Sequence, residues 1–233
     1  MRDQYPLGAA VTLAALEDDL HPVLVRLRAR EPISWLPVID GWLVTGRSTA
    51  IEVMRDPGTF TVDDPRFTTG QVVGPSMLTL EGAEHARHRE PFVDPYRTGN
   101  LGELVAWVDK EARRLLLSIA PAGTAELRTA FAGPLASAAI HRSLGFVGTD
   151  PDTMLGWYRA IVGAVSALSA GEDPGSEAAA AMVQVRAAVR ATVSSHTDSM
   201  LRRLAGGSLD DDELAQNAAI LMFGGIETAE GMT

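Results

Sequence analysis

Two short segments carry side chains whose types and spacing could do chemistry, and the first is Glu84-His85-Ala86-Arg87-His88-Arg89. On a helix, His85 and Arg89 are four residues apart and therefore share a face. Two cationic donors on one face form a site for carboxylates or phosphates. The alternative is a solvated basic turn on an acidic protein. A metal site that combines His85 with His88 or His141 would need a third ligand, and the sequence offers no evident one.

The second segment is Gly224-Gly225-Ile226-Glu227-Thr228. Two adjacent glycines within a helix cost about 1 kcal/mol each relative to alanine, but they let a ligand or another backbone approach closely. An acid beside a hydroxyl could pass protons to a ligand above the glycines. We expect Glu227 to be buried in this apolar helix, where it needs a partner, water or a proton. The alternative is a tight helix crossing in which Thr228 bonds back to its own helix.

The elements that must position these segments are mostly helical. Apolar residues recur at helical spacing in Leu20–Arg30, and Pro32 ends that helix. Four further stripes with the same spacing lie within residues 101–119, 127–144, 157–168 and 182–193. Pro134 predicts a kink in the second of them.

The early part of the chain also contains a predicted hairpin. The apolar runs Ile33–Leu36 and Trp42–Val44 flank Val38-Ile39-Asp40-Gly41, a turn that ends in Asp-Gly. Ser48 is the predicted cap of a short helix that continues through Met54. The stretch Thr59–Gly74 is rich in threonine and has no clear period, so it predicts a loop.

The last helix begins at Asp210 and Glu213, which resemble a capping box. Beyond them, large apolar side chains point in several directions around the helix axis: Leu214, Ile220, Leu221, Met222, Phe223 and Ile226. A helix that is apolar on all sides belongs in the middle of a large core. Its place at the C-terminal end of the chain predicts that the chain is incomplete or has a partner.

Composition limits the classes of function. The chain has 233 residues, a net charge of −10 and a pI of about 4.9. This charge disfavours nucleic acid and anionic membranes as partners. No apolar run approaches the length of a membrane span, and a cytoplasmic location is expected. The chain contains no cysteine, so it supplies neither a disulfide nor a thiolate ligand for a haem.

Taken in order, these segments resemble the cytochrome P450 family. The segment Ser76–Arg89 resembles the entry to the family's C helix, with its H-x-x-x-R pattern, and Gly224–Thr228 matches the I-helix pattern (A/G)-G-x-(D/E)-T. Leu20–Arg30 is similar to the A helix, Pro32–Thr45 to the first hairpin, and Ser48–Phe60 to the B helix. The resemblance implies a mainly α, P450-like fold with a small β-hairpin. It covers residues 1–233 as a single partial domain, from the A to the I helix, truncated before the haem-binding loop.

The resemblance also implies roles for residues and for partners. His85 and Arg89 would hold the haem propionates, and Gly224 and Gly225 would open the helix groove over the iron. Glu227 and Thr228 would relay protons to the oxygen that is activated there, and no residue of this chain is a metal ligand. The substrates would be a small organic molecule and O2, and a separate redox protein would supply electrons.

The chain departs from the family pattern because the half that supplies the E-x-x-R helix, the haem-binding loop and the axial cysteine is missing. Strings of the form E-x-x-R at Glu52–Arg55, Glu84–Arg87 and Glu111–Arg114 fall in the B, C and D regions, where we interpret them as chance. The leading hypothesis is therefore part of a haem monooxygenase that is not competent alone. The alternatives are a non-catalytic helical protein that binds haem or a small molecule, and a subunit that pairs with a C-terminal partner chain.

Overall fold

The structure, a computed structural model, describes residues 4–232. The chain divides into two compact units, the first ending at Thr61 and the second beginning at Val62. Helices predominate, with one two-stranded antiparallel sheet among the described residues, so the predicted mainly α fold with a small hairpin is confirmed. A single domain over residues 1–233 stays a prediction.

Within residues 4–61, the first unit contains four α-helices and the hairpin. Helix α3 occupies Leu20–Arg30, as predicted, and buries Val23 and Leu27 before Glu31 leads into Pro32. The unit's helices and strands are α1 (Pro6–Ala9), α2 (Leu13–Asp18), α3, β1 (Ile33–Leu36), β2 (Gly41–Val44) and α4 (Arg47–Met54).

The hairpin pairs β1 with β2 in antiparallel register, with Trp35 opposite Trp42. The chain reverses through a 3-10 turn at Pro37–Ile39, and Asp40 then adopts a left-handed conformation with φ of 47°. Aspartate tolerates this region better than most residues that have a Cβ atom. The predicted turn is therefore present, with four residues between the paired Leu36 and Gly41.

Two local predictions in this part of the sequence are wrong. Ser48 does not cap α4, because the helix already begins at Arg47 and its N-cap is Gly46, which makes no side-chain capping bond. The predicted loop Thr59–Gly74 contains helix α5 at Thr68–Val73. Thr69 and Val73 are buried there, and packing against later helices outweighs the weak helix propensity of threonine and valine.

The second unit is a helical assembly in which each predicted apolar stripe corresponds to a helix. A π-helical turn at Arg128–Ala132 comes directly before Pro134, close to the predicted kink. Besides α5, the unit's α-helices are α6 (Gly82–Val93), α7 (Gly102–Ile119), α8 (Gly133–Leu144), α9 (Pro151–Ser169), α10 (Glu177–Ser194), α11 (Met200–Leu204) and α12 (Asp211–Gly231).

Helix α12 lies at the centre of the core of this unit. The predicted capping box is present, because Asp210 accepts a hydrogen bond from the Glu213 N–H and the Glu213 carboxylate accepts one from the Asp210 N–H. Helices α8, α9 and α10 pack around α12, so that Met222 and Ile226 are fully buried. We expected this helix to lack cover within the chain, but these neighbours bury most of its large apolar side chains, and of these Leu221 and Phe223 remain partly buried.

Candidate functional site

The first predicted cluster lies on α6. His85 is half-buried and Arg89 is exposed. The ion pairs that α6 makes within residues 4–232 come from Arg87 and His88, not from His85 and Arg89. The two predicted anion-binding side chains therefore retain their hydrogen-bonding capacity for a ligand.

Arg87 has a larger structural role than its sequence context indicated. Its guanidinium lies 2.8 Å from the Glu84 carboxylate and 2.6 Å from the Glu213 carboxylate at the start of α12. It also donates a hydrogen bond of 2.8 Å to the carbonyl of Ser208. The interpretation of Glu84–Arg87 as a chance string overlooked this link, which ties α6 to α12.

Electrostatics at this link are strong. Arg87 donates hydrogen bonds to the Glu213 carboxylate, and this lowers the pKa of Glu213 to about 2. The pKa of the Arg87 guanidinium is raised in turn, mainly by its hydrogen bonds to Glu213 and Glu84. Glu213 thus serves both the capping box of α12 and the ion pair with α6, a double role that only the structure reveals.

A buried histidine forms a second link between the same helices. His88 is 1% exposed, and its Nδ1 atom lies 2.9 Å from the side-chain nitrogen of Asn217 on α12. Asn217 is fully buried and also accepts a hydrogen bond from the Met77 N–H. The signal available in the sequence was a lone asparagine among the apolar residues of α12, and we did not single it out.

The two glycines of α12 have different surroundings. A Cβ atom at Gly225 would lie 2.7 Å from Ile140 Cδ1 on α8, so close helix packing accounts for this glycine. A Cβ atom at Gly224 would meet nothing within 4 Å. Both glycines line an open, almost wholly apolar cavity of about 340 Å³ with Met77, Leu78, Tyr96, Ile140, Ile220 and Leu221.

This cavity connects the two predicted clusters in part. Met77 and Leu78 lie a few residues before α6, and Tyr96 lies a few residues after it, so the segments flanking α6 reach the glycines of α12. His85 and Arg89 themselves are not among the lining residues. That these two side chains face the same bound ligand as Gly224 and Gly225 stays a prediction.

Glu227 and Thr228 lie one turn beyond the glycines, and both are exposed. The Thr228 hydroxyl donates a hydrogen bond of 2.6 Å to the carbonyl of Gly224, which is the back-bond that we considered as an alternative. Its oxygen still has lone pairs that can accept a hydrogen bond from a ligand. The expectation that Glu227 is buried is wrong.

The buried carboxylate of α12 is Glu230, which is 6% exposed. It lies 3.6 Å from the Arg128 guanidinium and 3.5 Å from the Tyr158 hydroxyl. Burial, followed by the negative charges of Glu230 and Glu227, raises the pKa of Tyr158 to about 12. Sequence reasoning missed Glu230, and only its spacing of four residues from the fully buried Ile226 could have indicated it.

No family model matches the chain. In sequence, it is 26% identical to 20-oxo-5-O-mycaminosyltylactone 23-monooxygenase of Streptomyces fradiae, over 88% of this chain and 51% of the relative. It is 25% identical to vitamin D3 dihydroxylase of Streptomyces griseolus, over 87% of this chain and 53% of the relative. The chain therefore spans about half the length of the curated relatives it matches.

The fold of the chain was also compared with solved structures. The crystal structure of P450BioI in complex with an acyl carrier protein superposes with a TM-score of 0.75 at 19% identity, over 93% of this chain and 60% of that one. Over the part that it covers, the chain therefore has the fold of cytochrome P450 structures, as predicted. CalO2 superposes with a TM-score of 0.76 at 20% identity, over 92% of this chain and 58% of its own. In both comparisons the chain matches about three fifths of the solved structure.

Within residues 4–232, no helix has the length and apolarity that crossing a membrane requires.

Proposed function

We propose that this chain forms one wall of the haem cleft of a monooxygenase that inserts one oxygen atom of O2 into a small organic substrate. The carrying observation is the open face of Gly224, which borders an apolar cavity together with the segments that flank α6. An apolar wall without side-chain bulk suits the flat face of a macrocycle, and nearby cationic side chains suit its carboxylates.

The chain's own residues fit this cofactor at two points. His85 and Arg89 would hold the haem propionates, since their side chains are engaged by neither of the ion pairs that tie α6 to α12. Gly224 and Gly225 would give the ring and the substrate close access to the α12 backbone. When bound, the haem would supply the oxygen chemistry, and the protein would supply binding, orientation and proton delivery.

Proton delivery would fall to Glu227 and Thr228. The Thr228 hydroxyl is anchored to the Gly224 carbonyl at 2.6 Å, which orients its oxygen on the turn that carries the glycines. Glu227 is exposed and can exchange protons with solvent. Proton transfer would then run from water through Glu227 to the Thr228 hydroxyl, which would turn from the Gly224 carbonyl and donate its hydrogen to a ligand beside Gly224.

We infer a small, largely apolar organic substrate from the near absence of polar groups in the cavity lining. The relatives named above hydroxylate organic molecules according to their names, which supports the same class here. A separate redox protein would deliver the electrons. Because the chain has no cysteine, we propose that catalysis requires a thiolate from outside these 233 residues, such as a C-terminal partner.

The test is a haem titration of the purified chain. Arg89→Ala should weaken haem binding by about 10- to 100-fold, because a charge-assisted hydrogen bond contributes about 1.5–3 kcal/mol. His85→Ala should also weaken haem binding. Arg113→Ala is the matched control, since Arg113 is an exposed arginine on α7 whose partner is Asp109. Equal haem affinity of Arg89→Ala and the wild type would remove Arg89 from the site.

The carbon monoxide spectrum of the reduced, haem-loaded chain tests whether a thiolate is the axial ligand of the haem. Without a cysteine, this chain should give no red-shifted, thiolate-type Soret band. A C-terminal half of a related cytochrome P450, added in trans, should restore that band. A thiolate-type band from the pure chain would contradict the assignment.

A further inference from the structure

Asn217 is a polar side chain in the apolar core of the second unit, and all its hydrogen-bonding groups are used. Its Oδ1 atom accepts a hydrogen bond of 2.9 Å from the Met77 N–H. Its Nδ2 atom has two hydrogens and two acceptors, the Glu213 carbonyl at 2.8 Å and His88 Nδ1 at 2.9 Å. One amide therefore joins α12, α6 and the segment before α6.

These contacts fix the protonation pattern of His88. Because the Met77 N–H can only donate, the Asn217 oxygen must face it, and the Asn217 amide nitrogen must face His88. His88 Nδ1 is therefore an acceptor and carries no hydrogen, so the hydrogen of the neutral imidazole lies on Nε2. That atom is 3.4 Å from the Glu213 carboxylate. Arg87 Nη2, at 3.1 Å from Nε2, has only N–H groups and cannot accept this hydrogen.

Asn217 also lies on the side of α12 that carries the pocket glycine. Seven residues separate Asn217 from Gly224, which is about two helical turns and about 10 Å along the axis. Met77, whose N–H the amide holds, is itself a lining residue of the cavity. The hydrogen bond thus joins α12 to a segment that lines the same cavity as Gly224.

We propose that Asn217 is a positioning residue that sets α6 and the Met77 segment against α12, and that it does so through His88. This inference rests on the proposed function, because the purpose of the arrangement is to hold His85 and Arg89 at a fixed offset from Gly224. If α6 moved along α12, His85 and Arg89 would no longer lie within reach of the propionates of a haem that is bound over the glycines. Side chains that are already held in the binding geometry bind a cofactor more tightly, because less conformational entropy is lost on binding.

The first experiment uses the haem-free chain, so its outcome does not depend on haem binding. Nitrogen-15 NMR of the His88 imidazole should show Nδ1 without a hydrogen and Nε2 with one. Asn217→Asp keeps the shape and an acceptor for Met77, but it cannot donate to His88, so Nδ1 should become protonated. Hydrogen exchange at the Met77 amide should be slow in the wild type and at least about tenfold faster in Asn217→Leu. A wild-type His88 with a hydrogen on Nδ1 would overturn the proposal.

The second experiment measures haem affinity by titration. Asn217→Leu and Asn217→Asp should each bind haem at least about tenfold more weakly, at temperatures where circular dichroism shows them folded. Asn100→Leu is the control, because it removes an exposed amide from a turn outside this network. If a folded Asn217 variant kept wild-type haem affinity, Asn217 would be structural only. If the wild type bound no haem, the proposed function would fail, and the NMR result would still decide the link between α6 and α12.

Discussion

The two glycines of α12 lead to opposite expectations for the same substitution. At Gly224, which lines the open cavity, a new Cβ atom would meet nothing within 4 Å. At Gly225, it would lie 2.7 Å from Ile140 Cδ1 and 3.0 Å from Ile140 Cγ1. Alanine at the two positions therefore separates the contribution of helix propensity from that of packing.

The magnitudes follow from these distances. Replacing a glycine by alanine within a helix stabilises it by about 0.8–1 kcal/mol. Gly224→Ala should therefore raise the free energy of unfolding by about 1 kcal/mol, or the melting temperature by about 2–4 °C for a chain of this size. Gly225→Ala gains the same propensity, but it must displace Ile140, and overpacking costs about 1–3 kcal/mol. Its net effect should lie between neutral and a loss of about 2 kcal/mol.

Thermal and urea unfolding of the haem-free chain, followed by circular dichroism, would measure both variants. Haem titration of the same samples would measure how each substitution changes haem affinity. Gly224→Ala should stabilise the fold and weaken haem binding, since its methyl group narrows the proposed ring seat. A Gly224→Ala variant less stable than Gly225→Ala would refute the packing argument. A stabilised Gly224→Ala variant with unchanged haem affinity would refute the ring seat.

Two further predictions concern the start of α12. Arg87 lowers the pKa of Glu213 from 4.5 to about 2, so the stabilisation from this carboxylate should be complete above pH 4.5 and lost as the pH falls toward 2. Between these values, unfolding followed by fluorescence should show a smaller pH dependence for Glu213→Gln than for the wild type, and equal slopes would argue against the ion pair. Asp210→Ala removes the N-cap of α12 and should destabilise the chain by about 1 kcal/mol, whereas Asp211→Ala should change little. Equal effects of these two substitutions in urea unfolding would count against the capping box.

Much of the fold can be predicted from the sequence, because the patterns that indicate its helices lie within short stretches of the chain. Apolar spacing predicts α3 with the bounds that the structure shows, and a cap followed by glutamate predicts the start of α12. The failures, α5 and the cap of α4, arise where local signals are weak. Thr68–Val73 is helical because later parts of the chain bury one of its sides, and spacing within six residues cannot reveal those contacts.

The candidate site was predicted less completely. The glycine segment stood out because glycine is unfavourable within a helix, and His85 with Arg89 stood out because two cationic side chains share a helix face. The pairs that join the helices, Arg87 with Glu213 and His88 with Asn217, are separated by 126 and 129 residues. No periodic pattern links positions so far apart, and each residue alone has an ordinary explanation as surface charge or core. Only the tertiary structure brings them together.

Helix α12 is not uniform around its axis, and this asymmetry connects its packing with its proposed chemistry. At 100° per residue, one side carries the cap carboxylate, the buried amide, the open glycine and the hydroxyl: Glu213, Asn217, Gly224 and Thr228. The opposite side carries fully buried apolar residues: Ala215, Ala218, Met222 and Ile226. The apolar side fixes the helix in the core, and the other side can then present its polar and small residues at defined positions. A ligand site on this second side would be held rigidly, because the buried side of the helix is packed in the core. A proton relay next to an open glycine requires such fixed positions.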